Sequence, residues 1–301
     1  MNAIEIRGLK KSFRGLYALD GLDMTVPVGA IYGFIGENGS GKSTTEKLIC
    51  GHLVPSGGKI KLFGKSYKDA GVRARVGALI ENTGCFPNSS IFQNLMMQCI
   101  NLNLTNPEKE IARVLKTVRM EGAASNMFRN CSLGMKQRIG IAFALLGDPA
   151  LLVLDEPING LDADGMRIMR EVLTDITQKD GRTVLISSHI LGELEKIATH
   201  YGIIRHGQMV KEMTAQELED SCRTYIALKT GDMSRTKRLL QSRYARVDED
   251  ESGYLRIYDL VPSQEVVRFL YENGIVTSEI KSAKINLEEY YIDLMQEKEG
   301  R

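Results

Sequence analysis

Apolar and polar residues alternate along the first part of the chain. "AIEIRGL" and "LYALDGLDMTV" follow the two-residue period of half-buried strands, with Pro27 and Gly29 as punctuation. The next stretch, "AIYGFIG", is apolar without alternation and ends in glycine, which predicts a strand buried on both faces. "KSTTEKLICGHL" then reads as a helix that stops near Gly51, and "SGGKIKLFGKSY" as a turn and a strand. The period lengthens to that of amphipathic helices in "IFQNLMMQCINLNL", "PEKEIARVLKTVRM" and "SLGMKQRIGIAFALLGD", the last closed by Asp148-Pro149. Two further apolar runs, "ALLVLDEP" and "RTVLISSH", flank the helix "ADGMRIMREVLTDITQ". Strand and helix alternate here as in a doubly wound α/β sheet.

After about Thr214 the text changes. "TYIALKT", "MSRTKRLLQSRY", "ARVDEDESGYLRIYD", "SQEVVRFLYENG" and "IVTSEIKSAKIN" predict strand, helix, hairpin, helix and strand. A last helix is expected from about Leu287. This order suggests a small α+β appendage of ferredoxin-like type over residues 216–301. The cationic stretch "SRTKRLLQSRYAR" is read as a solvated helix face.

Composition narrows the function classes. The chain has 301 residues, 43% of them apolar, enough for a sizeable core. Its 39 Lys and Arg nearly cancel 38 Asp and Glu, so net charge gives no footprint for nucleic acid. "MNAIEIRGLKKSF" has no secretory h-region, and "IGIAFALLG" falls well short of the roughly 20 apolar residues of a membrane span. The five cysteines (Cys50, Cys85, Cys99, Cys131 and Cys222) show no C-x-x-C pair, and reduced thiols in the cytosol are expected.

Candidate chemistry starts at "GENGSGKST". Gly36, Glu37, Asn38, Gly39, Ser40, Gly41, Lys42, Ser43 and Thr44 match G-x-x-x-x-G-K-[ST] between an apolar strand and a helix. Glycines let successive backbone N–H groups face inward, and the following helix points its positive end at the same spot. Lys42 supplies a point charge for the β- and γ-phosphates, and the Ser43 hydroxyl a ligand for Mg2+. Asp155 and Glu156 end the strand "LLVLDEP", where an open α/β sheet binds its ligands. Adjacent strand residues point to opposite sides, so different roles are expected: Asp155 toward Mg2+, Glu156 toward a water attacking the γ-phosphate. His189 stands just past the next apolar run, at the same sheet edge, and is expected near the γ-phosphate or that water.

The order of these motifs resembles the ATP-binding subunit of ABC transporters over residues 1–215. It runs through Phe13, "GENGSGKST", "GALIENTGCF", "CSLGMKQR", "LLVLDEP", "NGLD" and "SSH". The resemblance implies a P-loop NTPase with a parallel-sheet core, an N-terminal antiparallel β part and a helical insert at about residues 85–145. It implies an ATPase with ATP and Mg2+ as cofactors, and Phe13 stacked on adenine. The signature usually reads L-S-G-G-Q; here Cys131, Leu133 and Met135 replace three positions, while Ser132 and Gly134 remain. Those two are expected to bind the γ-phosphate of a partner subunit in a head-to-tail dimer whose interface "NGLD" lines. Glu81 stands where the family usually has Gln and is implied as a metal or water ligand.

"GALIENTGCFPN", "SLGMKQR" and "SSHILGELEKIATHYGIIRHG" resemble the branch that exports peptide antibiotics, in bacitracin and lantibiotic resistance. The implied partner is a separate transmembrane permease, reached through the helical insert, with the subunit at the cytoplasmic face of the membrane and no nucleic acid bound. Two rival readings differ in class. A soluble ABC ATPase acting on the ribosome or DNA usually carries a second cassette or long coiled coils, and this sequence has neither. A binding-only regulator would not need Glu156 and His189.

Overall fold

The computed structural model describes residues 1–81, 84–221, 224–250, 252–259 and 261–299. The alternating N-terminal stretches form two long strands, β1 (Asn2–Phe13) and β2 (Leu16–Pro27), paired antiparallel. Ile4, Ile6, Leu22 and Met24 turn inward, with charged or polar neighbours outward, as the period of two requires. The continuous apolar run becomes β3 (Ile31–Ile35), buried along its whole length, and α1 (Lys42–Ile49) follows it. Next come β4 (Gly57–Leu62), β5 (Lys65–Ser66), the short α2 (Ala70–Arg73) and β6 (Val76–Leu79).

The helical stretches appear as α3 (Ile91–Asn101), α4 (Pro107–Thr117) and α5 (Leu133–Leu145). A full capping box starts α3, with Ser90 and Gln93 each bonding the other's backbone N–H. Ser132 caps α5. That helix stops ahead of Asp148-Pro149 because Gly147 and Asp148 adopt left-handed backbone, at φ 79° and 57°. The chain continues through β7 (Leu151–Asp155), α6 (Ala163–Gln178), β8 (Thr183–Ser188), α7 (Leu191–Leu194), β9 (His200–Arg205) and β10 (Gln208–Thr214).

These strands make two sheets. One is antiparallel, in the order β2-β1-β4-β5; the other runs β10-β9-β3-β8-β7-β6, parallel except for β10 against β9. Side chains from both sheets, among them Ile6, Leu22, Phe34, Val153, Leu185 and Ile204, share one core with Leu48 and Ile49 of α1. Register then decides the function of the sheet edge. Ile35 pairs with Ser188, and Asp155 with Ser187, so β3, β8 and β7 end side by side.

Contacts divide the chain into two units, Met1–Ala215 and Gln216–Arg301. Along the second run α8 (Ala215–Ser221), β11 (Thr224–Thr230), α9 (Met233–Gln241), β12 (Val247–Glu249), β13 (Leu255–Ile257), α10 (Ser263–Glu272), β14 (Thr277–Lys284) and α11 (Leu287–Glu299). The sheet order β12-β13-β11-β14 is that of a split β-α-β ferredoxin-like unit. Its core joins Ile226, Leu228, Leu255 and Ile257 to Leu240, Val266 and Leu270 from the two helices. Cys50, Cys99 and Cys131 form no disulfide, and Cys222 lies outside the described residues.

Phe34 is fully buried in β3. Phe34→Ala should cost about 3–5 kcal/mol of unfolding free energy, read as a lower urea midpoint.

Candidate functional site

Between β3 and α1 the backbone of residues 36–41 curls into a loop whose shape is dictated by close packing. A Cβ on Gly36 would lie 2.5 Å from the Ile204 carbonyl oxygen and 2.6 Å from Ser40 Oγ. Gly41, at φ 113°, stands at the helix N-cap position, where a Cβ would meet Leu19 Cδ2 at 2.7 Å. No side chain caps α1, so the N–H groups of its first turn are left for an external acceptor. Lys42 is buried, and its Nζ donates to the carbonyl oxygens of Gly36 (2.6 Å) and Glu37 (3.1 Å). Ser40 Oγ is buried without a hydrogen-bond partner. A cavity of about 260 Å³ opens over this loop. Asn38, Gly39, Gly41, Lys42, Ser43, Thr44, Asp155 and Glu156 line it, together with Ala18 from the antiparallel sheet.

The opposite wall comes from the ends of β7 and β8. Ser187 Oγ donates to Asp155 Oδ1 at 2.8 Å and accepts from the Glu156 N–H at 3.1 Å. Glu156 has already left the strand, at φ 49°. The expectation that Asp155 and Glu156 serve opposite sides is therefore corrected: a left-handed residue breaks the alternation, and both residues line one cavity. His189 Nδ1 lies 2.7 Å from Glu156 Oε2, which fixes the orientation of both groups. Ser187, the hub of this arrangement, was not singled out from sequence. Its signal was its place beside His189 at the end of an apolar strand.

Ser43 and Asp155 put a hydroxyl and a carboxylate on the same cavity. That is a hard-oxygen donor set of the kind Mg2+ takes together with phosphate oxygens and water. Among the described residues no three His, Cys, Asp or Glu side chains converge as an all-protein cage. The residues present thus fit a cation completed by phosphate.

Glu46 is a second residue that sequence reasoning missed. It is fully buried one turn along α1 from Lys42, and neither of its carboxyl oxygens has a hydrogen-bond partner. Burial, followed by the neighbouring Asp155 charge, pushes its carboxyl up to about 8, against the weaker pull of Ser187 and Lys42. The available signal was an acid within the stripe Thr45, Leu48 and Ile49 that α1 turns inward.

The remaining candidates are distributed as follows. Phe13 ends β1, 45% exposed, with Lys11 Nζ 4.9 Å from its ring centroid. Ser132 is exposed at the start of α5, its Oγ accepting from the Met135 N–H at 3.2 Å. Cys131 is buried beside it, as a residue in the Leu position should be. Leu161 approaches Gly134, and Leu133 covers Gly160, so the "NGLD" loop packs against the start of α5. Glu81 is not brought to the cavity. Its carboxylate is 2.5 Å from Lys47 Nζ near the end of α1, and the backbone there turns at φ 65°. The structure records this ion pair for Glu81, and its role as a metal or water ligand stays what the resemblance implies.

Residues 19–159 match the family described as "ABC transporter". The chain is 34% identical over 296 residues to the bacitracin transport ATP-binding protein BcrA of Enterococcus faecalis, covering 97% of this chain and 96% of that protein. The chain belongs to the ABC transporter ATP-binding family. It is also 36% identical to the lantibiotic transport ATP-binding protein SrtF of Streptococcus pyogenes, over 69% of this chain and 90% of SrtF. Among solved structures, the dimeric post-hydrolysis state of the cassette MJ0796 bound to ADP and Pi aligns with a TM-score of 0.64 at 20% identity. That alignment covers 70% of this chain and 98% of the other, and it supports the cassette fold. The chain is therefore an ABC ATPase-family subunit, homologous to the ATP-binding proteins of bacitracin and lantibiotic transport.

Gly36→Ala would drive a Cβ into the Ile204 carbonyl and deform the loop. A fluorescent ATP analogue should bind this variant at least about 10-fold more weakly, a loss of roughly 1.4 kcal/mol.

Proposed function

We propose that this cassette hydrolyses ATP to drive a separate membrane permease that exports peptide antibiotics. The observation that carries the ATPase reading is the shared edge of β3, β8 and β7. It sets the Lys42 loop, Asp155 and the Glu156–His189 pair around one cavity of about 260 Å³. In this reading the N–H groups of residues 38–44 wrap the β- and γ-phosphates, and Lys42 exchanges its own loop carbonyls for phosphate oxygens. Ser43 and Asp155 would hold Mg2+, which would supply charge neutralisation for the phosphate oxygens. Glu156 receives the proton of the attacking water, and His189 holds the Glu156 carboxylate in line with it. Phe13 offers its open ring face to adenine.

Ser132 completes the site of a second subunit. It lies on an exposed helix start with Gly134 behind it, so a partner's γ-phosphate would meet both its hydroxyl and free N–H groups. The solved neighbour described as dimeric with ADP and Pi lends support to this arrangement. Phe86, Ile100 and Met127 are exposed apolar residues in the α3–α5 region, and we assign that face to the permease. No helix among the described residues is long and apolar enough to cross a membrane, which fits a subunit held at the inner face by its permease. The peptide cargo rests on the names of the relatives BcrA and SrtF. The oriented Glu156–His189 pair favours hydrolysis over a binding-only regulator.

Glu156→Gln should keep ATP binding and slow turnover by about 10²- to 10⁴-fold, the usual contribution of a general base. The ATP-bound dimer should then accumulate in light scattering, and adding Ser132→Arg should abolish it while the monomer still binds ATP. Turnover near the wild-type rate would remove Glu156 from its role, and a persistent dimer would remove Ser132. For the cargo, cells expressing the chain with its cognate permease should survive bacitracin or a lantibiotic better than cells carrying the Glu156→Gln form. Equal survival would separate the transporter from these peptides.

A further inference from the structure

His189 stands at a junction that its own stretch of chain does little to hold. Its ring meets Glu156 Oε2 at 2.7 Å, yet 52% of the side chain is exposed. β8 ends one residue before it, and α7 begins two residues after it. α7 is a single turn, and Ile190 at its start supplies no side-chain cap. One uncapped turn is not stable alone, because nucleation fixes several residues for few hydrogen bonds. Leu191 and Leu194 sink the turn into the core. Apolar burial is non-directional, however, and does not set the turn's orientation.

An ion pair does. Glu193, the third residue of α7, is an acid at a buried position. Its Oε2 accepts from Arg170 Nη1 on α6, and its Oε1 accepts from Lys196 Nζ at 2.6 Å. The Arg170 and Glu193 side chains are only 23% and 11% exposed, so solvent screens the pair weakly. The two cations differ in reach. Lys196 lies three residues further along the same stretch and ties the turn to nothing outside it. Arg170 belongs to α6, which Asp162 caps and which Met169, Val172, Leu173 and Ile176 anchor in the core. It therefore joins a short turn to a fixed bar. The backbone carries that hold back to the histidine. The Glu193 N–H donates to the Ile190 carbonyl at 3.2 Å, and the Ile190 N–H donates to Ser188 Oγ at 3.0 Å. Ser188 and Ile190 are the two chain neighbours of His189.

We propose that Arg170 and Glu193 are positioning residues for His189: their ion pair clamps the turn after His189 onto α6 and so keeps the imidazole on the Glu156 carboxylate. The role rests on the reading of Glu156 and His189 as the hydrolytic pair. Neither Arg170 nor Glu193 lines the cavity, so the clamp acts on turnover through His189 and not on nucleotide binding. Rate is steep in geometry: a displacement of about 1 Å can lower it by roughly 10²-fold.

Steady-state ATP hydrolysis by the full-length chain tests the clamp, with kcat and KM taken apart. Arg170→Met keeps the aliphatic stem and removes the cation, while Lys196 still serves Glu193. It should lower kcat at least about 10-fold and leave KM within about 2-fold of the wild type. Glu193→Gln should lower kcat by a similar factor, and the two changes together no further than either alone. His189→Ala lowers kcat as well. In that background Arg170→Met should have no further effect, because the group it positions is gone.

Wild-type kcat in Arg170→Met, beside a lowered kcat in His189→Ala, would overturn the clamp and leave the hydrolytic pair standing. Wild-type kcat in His189→Ala would overturn the role of His189 and the clamp with it. Losses that multiply when Arg170→Met is added to His189→Ala would mark a general structural effect and overturn the proposal. If Arg170→Met does not fold, Glu193→Gln is read in the same way. Failure of both to fold would make the pair structural and overturn the proposal as well.

Discussion

The register between β3, β8 and β7 is the constraint on which the rest of the site depends. Ile35 opposite Ser188 and Ser187 opposite Asp155 bring three strand ends to one line. A slip of one residue would turn each affected strand over and carry the carboxylates into the core. The slip is resisted because these strands are buried on both faces, with Phe34, Leu185 and Val153 in one continuous core. Hydrophobic burial thus positions polar groups that do not take part in it. The site lies outside the carboxyl ends of the strands, where backbone and helix N-terminus are free to meet a ligand.

Charge balance at that edge explains why the residues come as a set. Asp155 and Glu156 line the cavity, and Glu46 lies behind it, against Lys42 and the N-terminus of α1 on the other side. A triphosphate approaching two carboxylates meets repulsion that one lysine and a helix dipole offset only in part. The cation reading answers this imbalance, since a divalent ion between Asp155 and phosphate turns repulsion into a bridge. Before the ligand arrives, Lys42 satisfies itself on the carbonyls of Gly36 and Glu37, so its charge is not left bare in a buried place.

Much of this was legible from the sequence wherever a pattern was long or a motif carried its own chemistry. The glycine-rich loop, the apolar runs before Asp155 and before His189, and the insert helices all announced themselves. So did the order of elements in the C-terminal unit, because its β, α and hairpin segments are each strongly patterned. The short strand β6 lay hidden at the start of the stretch "VGALIENTGCF", and β9 and β10 in a stretch with no clear period. Their pairing is a tertiary fact. The orientation of Glu156 was misjudged because a strand rule was applied one residue beyond the strand, where the backbone is left-handed. The ion pair of Glu81 with Lys47 was not foreseen because the two are distant in sequence. Glu46 and Ser187 were missed because neither belongs to a short motif; burial and neighbours make them interesting, and both are three-dimensional.

The departures from the usual signature can be weighed in the same physical terms. Cys131 replaces an aliphatic residue in a buried position, and a small apolar thiol is suited to it. Leu133 replaces a glycine, and its side chain covers Gly160. Ser132 already accepts a hydrogen bond from the Met135 N–H, and this does not consume it. A hydroxyl accepts and donates at once, so its proton stays free for a phosphate oxygen while the cap holds the side chain in place. Capping its own helix and closing a neighbour's site are therefore compatible tasks for one serine.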